Sequence, residues 1–262
     1  MSGDNTEQQK KKRGSKWKHT YSEISTIDAE RRLGVDMETL DNEAIPVSEM
    51  LAEAGYTIEE NNEEIQEVKR QVYKAILQYL DLEGYPTETN PDYTETNVSD
   101  LVLYILGPLV SYFKRKHVQV GWDIRLRREK EIISIDGETG GKVEFTMIDW
   151  VSVMERYYVM VIEVKRSSLG EAFKQCLLSM RDMRDCNGVG KVYGFVTTGE
   201  SWQMIRYDGM YFQVTDKFDA TFRTMRGQEG KWMKDYSLVV NCLEMALLHG
   251  GVGGFAIVRV SW

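Results

Sequence analysis

Two runs of sequence decide the fold, KVEFTMIDWVSV at residues 142–153 and YYVMVIEVKRS at residues 157–167. β-Branched and aromatic residues dominate both runs, and such residues favour strands. Side chains alternate between the two faces of a strand, so residues two apart share one face. Asp149 therefore falls on an apolar face of the first strand, and Glu163 and Lys165 fall on an apolar face of the second.

The three charged side chains make this part of the sheet unusual. Burying an unpaired charge is costly, so a fold tolerates such residues only if the charges are paired or hold a metal. A turn near residues 155–156 is expected to join the two strands and to place them side by side. We therefore expect the functional site at Asp149, Glu163 and Lys165.

Length and composition set broad limits on the class of protein. The chain has 262 residues, of which 42% are hydrophobic and 28% are charged, which is enough for a sizeable core. It has no apolar run of the roughly 18 residues that span a bilayer, and no hydrophobic stretch of the signal-peptide kind near its start. These features predict an intracellular, soluble protein. Three cysteines without a CxxC pair predict reduced thiols, and three scattered histidines argue against a zinc site.

The net charge of −8 is unevenly distributed. Residues 1–96 hold 11 Lys/Arg and 21 Asp/Glu, a balance of −10, whereas residues 97–262 hold 22 and 20, a balance of +2. The part that carries the candidate site is thus slightly basic. A polyanionic substrate is compatible with that charge.

Three regions are predicted along the chain. Residues 1–20 form a polar tail with the basic cluster KKKRGSKWK, expected to be disordered and interpreted either as a nuclear import signal or as a solvated tail. Residues 21–96 form an acidic helical extension and linker, with its clearest helix ending at Gly84. Residues 97–262 form the main domain.

The main domain is predicted to alternate helices and strands. A helix within SDLVLYILGPLVSYFKRK precedes the strand VQVGWDIRLRR and the two deciding strands. The helix LGEAFKQCLLSMRDMRD, the strand VYGFVTT, the hairpin WQMIRYDGMYFQV, the helix SLVVNCLEMALLHG and a last strand FAIVRVSW follow. This order predicts an α/β or α+β sandwich with a central mixed β-sheet flanked by helices.

Asp149, the triplet Glu163-Val164-Lys165 and the helix behind them resemble the PD-(D/E)XK nuclease superfamily. The resemblance covers roughly residues 97–200 and extends to RecB-like nucleases and to the Crinkler-type nuclease-like domains of fungi and oomycetes, although the Crinkler leader is missing. It implies a restriction-endonuclease-like core and Mg²⁺- or Mn²⁺-dependent cleavage of nucleic acid. It also implies that Asp149, Glu163 and the carbonyl of Val164 bind the metal and that Lys165 is the catalytic lysine.

These residue types suit that chemistry. Mg²⁺ prefers hard oxygen ligands, and two carboxylates on neighbouring strands could converge on one cation. The metal would polarise a phosphodiester oxygen and activate a bound water, while Lys165 orients that water or offsets the developing charge. The alternative is a buried pair of lysine and carboxylate that fixes strand register without chemistry.

Further candidate residues flank the triplet. Many RecB-like nucleases carry a glutamine at the position of Gln175, but Ser179 stands where a tyrosine often follows, so Gln175 is either catalytic or an exposed polar residue. Asp100, in the first helix, is either an acid of the site or a helix cap. The basic residues expected to contact nucleic acid, unless they are ordinary solvated charges, are Arg125, Arg127, Arg166 and Lys174.

The sequence thus supports three functional hypotheses. The first is a nuclease that acts on DNA more than RNA, as a possible homodimer. The second is a catalytically inactive nuclease-like fold that binds nucleic acid or protein, for example as an effector. The third is an unrelated α/β interaction protein whose charged triplet forms an internal salt bridge.

Overall fold

Eight strands form one mixed sheet, with helices packed on both of its faces. The computed structural model describes residues 16–59, 62–87, 90–117, 123–150, 156–167 and 169–251. The strands are β1 (His19–Thr20), β2 (Ile124–Ile133), β3 (Thr139–Trp150), β4 (Arg156–Val164), β5 (Val192–Thr197), β6 (Ser201–Tyr207), β7 (Phe212–Val214) and β8 (Phe218–Asp219). The helices are α1 (Thr26–Leu33), α2 (Met37–Asn42), α3 (Val47–Glu53), α4 (Glu63–Glu83), α5 (Glu95–His117), α6 (Leu169–Asn187), α7 (Glu229–Asp235) and α8 (Leu238–His249).

The central strands are arranged as an antiparallel meander followed by a crossover. Strands β2, β3 and β4 pair antiparallel in sequence order, and the chain then passes through α6 to β5, which pairs parallel with β4. Strand β6 returns antiparallel to β5, and β7 and β8 both pair with β6. The predicted central mixed sheet flanked by helices is confirmed.

Two apolar clusters hold the helices against the sheet. Helices α4, α5 and α8 supply most of the helical side chains on one face, and α6 supplies most on the other. Gly194 in β5 shows how closely α6 approaches, because a Cβ atom there would collide with the sulfur atoms of Met180 and Cys176. None of the helices within the described ranges carries an apolar run long enough to cross a membrane.

The segments before residue 97 pack into the same core as those after it. Ile65, Val72 and Ile76 of α4 share one apolar cluster with Ile105 of α5 and Phe195 of β5. Helix α4 begins where the Asn62 side chain accepts a hydrogen bond from the amide of Ile65 and ends at Gly84, as the sequence predicts. The core thus contains side chains from both sides of the expected boundary.

The N-terminal segment is also partly built into the sheet. Residues 1–15 of the predicted disordered tail lie outside the described residues, but His19 and Thr20 form β1 and pair parallel with Thr139 and Gly140 of β3. The expectation of disorder is therefore wrong for these two residues. The physical reason is that β3 offers a free edge at this point.

Other boundaries also differ from the sequence expectations. The glycine-rich run DGETGG is typical of a turn, but its last residues, Gly140 and Gly141, lie in β3, and a Cβ atom on Gly141 would come within 2.7 Å of the Tyr21 ring. Residues 118–122 of the predicted strand VQVGWDIRLRR and the whole of the predicted last strand lie outside the described residues.

Candidate active site

The candidate site lies where β3 and β4 separate. Their antiparallel pairing runs from Trp150 and Arg156 to Phe145 and Ile162. Beyond Phe145, β3 continues towards the residues that pair with β1 on the same edge. Glu144 is the first residue of β3 past the last pair, and Glu163 is the first residue of β4 past it. The split therefore brings these two acidic residues together.

Glu163 is the most perturbed acid of this cluster. Its side chain is only 3% exposed, and its carboxyl group accepts a hydrogen bond from the backbone of Glu144. Its Oε1 atom is buried and has no hydrogen-bond partner within the described ranges. Burial, helped by the nearby charges of Glu144 and Glu95, raises the pKa of Glu163 to about 8, although Lys165 opposes the shift.

Glu144 connects the split to helix α5. The hydroxyl group of Ser99 donates a hydrogen bond of 2.6 Å to Oε1 of Glu144. Glu144 itself is half-buried, so its carboxylate lies between solvent and the core. The pair of acids thus has one fully buried member, Glu163, and one member within reach of water.

Lys165 directly follows β4, and its charge acts on the carboxyl group of Glu163. Its Nζ atom donates to Oε1 of Glu95, the first residue of α5, at 2.8 Å. Its backbone amide donates to the carbonyl of Thr197 in β5 at 3.1 Å. Because the N–H and C=O groups of a trans peptide point in opposite directions, the carbonyl of Val164 is directed away from β5, towards the β3 side of the strand. Two carboxylates, one carbonyl and one amine therefore border the split.

The structure does not bring Asp149 into this cluster. Asp149 lies opposite Tyr157 in β4, near the other end of the hairpin, and Ile124 lies beside it in β2. Although it is buried, the antiparallel register separates it from Glu163 by six residues of β4, which corresponds to roughly 20 Å of extended chain. The expectation that Asp149 and Glu163 bind one cation together is therefore wrong.

The residues proposed on helix α6 are both buried. Gln175 is 9% exposed and donates a hydrogen bond to Glu171 at 3.0 Å, so it is not the exposed polar residue of the alternative interpretation. Lys174 is 7% exposed, and its Nζ atom donates to the carbonyl of Ile24 at 2.9 Å. Lys174 therefore anchors the N-terminal segment, and the expectation that it contacts nucleic acid does not fit this position.

The three arginines expected at a nucleic-acid surface lie in different places. Arg125 forms an ion pair of 2.5 Å with Asp123 and lies over the ring of Trp150, at the same end of β3 as Asp149. Arg127 is exposed on β2. Arg166 directly follows Lys165 and donates to the carbonyl of Asn90 at 2.8 Å. Of these residues, only Arg166 adjoins the split.

Two acids of the site, Glu95 and Glu144, are not among the sequence-based candidates. Helix α5 begins at Glu95 rather than near Asp100. Asp100 forms an ion pair with Arg128, with 3.4 Å between Oδ1 of Asp100 and Nη2 of Arg128. The spacing of Thr94 and Asn97 is a sequence signal for this earlier start, because the amide and the hydroxyl group of Thr94 both donate to Oδ1 of Asn97. Glu144 has no such signal, because the sequence pattern does not determine which residue of the next strand it faces.

The split contains oxygen atoms of the kinds that bind divalent cations. No three His, Cys, Asp or Glu side chains within the described ranges are grouped so that they could hold a metal ion by themselves. Mg²⁺ commonly uses one or two carboxylates and keeps several waters. The buried Oε1 of Glu163, the carboxylate of Glu144 and the carbonyl of Val164 are the oxygen atoms that could belong to such a smaller set.

Comparisons with known proteins add no relative to this description. No protein-family model matches the chain, and no curated protein matches it. The functional hypothesis therefore depends on the residues and geometry described above.

Proposed function

We propose that the protein is a Mg²⁺- or Mn²⁺-dependent nuclease that hydrolyses phosphodiester bonds of nucleic acid, with DNA preferred over RNA. The observation that carries the proposal is the buried carboxyl group of Glu163, which has an unpartnered oxygen within the described ranges and lies beside Glu144 and Lys165. An apolar core tolerates such an arrangement at a cost, which a function would explain.

The order of elements also supports the proposal. Helix α5, the antiparallel strands β2 to β4, helix α6 and the parallel strand β5 follow the order that the resemblance to the restriction-endonuclease-like core implies. The acids lie on the second and third strands of this unit, and Lys165 follows Glu163 by two residues.

Each residue has a role that its position suggests. Glu144, Glu163 and the carbonyl of Val164 would hold the cation, which supplies polarisation of a phosphodiester oxygen and lowers the pKa of a bound water. Lys165 carries three N–H donors, and its bond to Glu95 uses one, so the others remain for a phosphate oxygen. Its positive charge would offset the negative charge that develops on the phosphate.

The test is cleavage of supercoiled plasmid with Mg²⁺, Mn²⁺ or EDTA. We expect cleavage with either metal, none with EDTA, and none with Glu163→Gln, Glu144→Gln or Lys165→Ala. Asp149→Asn is the matched control, because Asp149 is a buried acid of β3, the strand of Glu144, but lies outside the split. This variant should retain cleavage. Absence of cleavage by the native protein under all metal conditions would contradict the proposal.

One observation favours a second function, binding without catalysis. The ion pair between Lys165 and Glu95 partly neutralises the proposed catalytic amine. A protein that binds nucleic acid in a salt-dependent way but leaves the plasmid intact would match this second function.

A further inference from the structure

A cavity of about 210 Å³ lies beside the candidate site. The residues on its wall that matter here are Tyr93, Arg166, Thr198, Glu200 and Arg223. Since one water accounts for about 30 Å³, the cavity has room for a group several times larger than a water. Its wall combines two guanidinium groups with the hydroxyl group of Thr198, which are donors for an oxyanion.

The cavity adjoins the split between β3 and β4. Arg166 follows Lys165 directly, and Thr198 follows Thr197, whose carbonyl accepts the amide of Lys165. Tyr93 precedes Glu95, the ion-pair partner of Lys165, by two residues. A nucleic-acid strand bound at Lys165 would therefore lie next to this cavity.

Arg223 supplies a positive charge to the cavity wall. Within the described ranges no carboxylate lies at ion-pair distance from Arg223, and its guanidinium group lies 5.3 Å from the centre of the Tyr85 ring. The hydroxyl group of Tyr85 in turn donates to Glu200 at 2.6 Å. Tyr85 thus binds Glu200, an acid of the cavity wall, and packs against Arg223.

Arg166 brings the second guanidinium group. One of its nitrogen atoms donates to the carbonyl of Asn90 at 2.8 Å, which places the guanidinium group on the cavity wall. Arginine is the side chain best suited to phosphate, because its planar fork can donate two parallel hydrogen bonds.

We propose that this cavity is a phosphate-binding subsite, which takes a phosphate group of a nucleic-acid strand next to the phosphodiester held at Glu163 and Lys165. The inference rests on the proposed function for the identity of the strand. The bound group is either an internal phosphodiester or a terminal phosphate, which share the oxyanion that Arg166 and Arg223 would recognise.

The test measures binding separately from cleavage. The probe is a fluorescein-labelled single-stranded DNA oligonucleotide, made with and without a terminal phosphate and titrated in EDTA at several salt concentrations. Arg223→Ala should weaken the affinity by about tenfold, the worth of one charge-assisted hydrogen bond, and should reduce the slope of log K against log salt by about 0.7. Arg223 is exposed, so this substitution leaves the core intact.

Arg226→Ala is the matched control, because Arg226 is an exposed arginine three residues away that is paired with Asp81 and lies outside the cavity. It should change affinity and slope little. If Arg223→Ala loses affinity only for the probe with a terminal phosphate, the subsite binds a terminal phosphate. If it loses affinity equally for both probes, the subsite binds an internal phosphodiester. Equal effects of the two arginine substitutions, or no binding by the native protein, would overturn the subsite.

The subsite and the proposed function can fail separately. If plasmid cleavage is metal-dependent but Arg223→Ala binds and cleaves as the native protein does, the subsite is wrong and the nuclease stands. If Arg223→Ala weakens binding but no condition gives cleavage, the subsite proposal is kept, and the protein binds nucleic acid without cleaving it.

Discussion

Glu144 and Glu163 lie on adjacent strands, and the backbone of Glu144 donates a hydrogen bond to the carboxyl group of Glu163. A backbone amide that would otherwise pair with the neighbouring strand is thus satisfied by a side chain. This contact allows β3 and β4 to separate beyond Phe145 and Ile162 without leaving that donor unpaired. The same contact fixes the position of the buried acid, so its titration should report on the split.

The stability of the fold should depend on pH through Glu163. Its pKa is raised from 4.5 to about 8, so between these values the folded state holds a proton that the unfolded state has lost. The free energy of unfolding should therefore fall as pH rises through this window. Glu163→Gln should match the native protein near pH 5 and exceed its stability near pH 9 by a few kcal/mol, since each pKa unit corresponds to about 1.4 kcal/mol. Urea denaturation at both pH values measures this difference.

An exposed acid provides the control for that experiment. Glu138 lies in a surface ion pair with Lys18, and such pairs contribute about 0–1 kcal/mol. Glu138→Gln should therefore change the free energy of unfolding little at either pH. If the native protein and Glu163→Gln are equally stable at high pH, ionisation of Glu163 does not lower the free energy of unfolding, which would contradict the prediction.

The register of β3 and β4 explains why the sequence pattern places Asp149, and not Glu144, opposite Glu163. A turn near residues 155–156 would place Asp149 almost opposite Glu163, whereas Asp149 in fact pairs with Tyr157, six residues earlier in β4. In an antiparallel pair, each residue by which the turn moves shifts the partner by two. Periodicity identified the strands and Glu163, but it does not determine where a turn without glycine, proline or asparagine is located.

The start of helix α5 was missed for a related reason. Glu95 follows a stretch with two of the four prolines, and its neighbours favour a linker as readily as a helix start. Contacts with residues distant in sequence favour the helix start at Glu95, because Lys165 binds Glu95 and Tyr79 binds the carbonyl of Asn97. Long apolar elements such as α6 and β5 were predicted correctly because burial alone determines them.

Metal binding should distinguish Glu144 from Asp149. Because the carboxyl group of Glu163 is mostly protonated at pH 7, uptake of Mn²⁺ should release about one proton per ion. Calorimetry in two buffers of different ionisation enthalpy measures that number. Glu144→Gln should weaken Mn²⁺ binding by at least about tenfold, and Asp149→Asn should leave it unchanged. The reverse order of effects would exclude the split as the cation site.

The packing of α6 against β5 should leave no room for a side chain at Gly194. A Cβ atom on Gly194 would collide with the sulfur atoms of Met180 and Cys176, so Gly194→Ala should destabilise the fold by about 1–3 kcal/mol. Gly170, in the first turn of α6, has open space around its Cα atom. Gly170→Ala should be neutral or stabilising by up to about 1 kcal/mol. Thermal denaturation of both variants checks the pair, and equal effects would argue against the tight packing.

The N-terminal segment should be held by the buried carboxylate of Asp182. This residue is 0% exposed, and it accepts hydrogen bonds from Tyr21 at 2.9 Å, from Thr139 at 2.7 Å and from Arg32 at 3.3 Å. Tyr21→Phe removes one donor to a buried charge, so it should lower the free energy of unfolding by about 1.5–3 kcal/mol. Tyr211→Phe, at a tyrosine that is 71% exposed, should have little effect.

Hydrogen exchange localises the effect of Tyr21→Phe. The amide of Tyr21 donates to the carbonyl of Gly140, and that of His19 to the carbonyl of Glu138. These amides should exchange faster in Tyr21→Phe, because loss of the bond to Asp182 lowers the free energy needed to open the segment locally. If protection of these amides falls only together with that of the core strands, Asp182 stabilises the whole fold and does not specifically anchor the N-terminal segment.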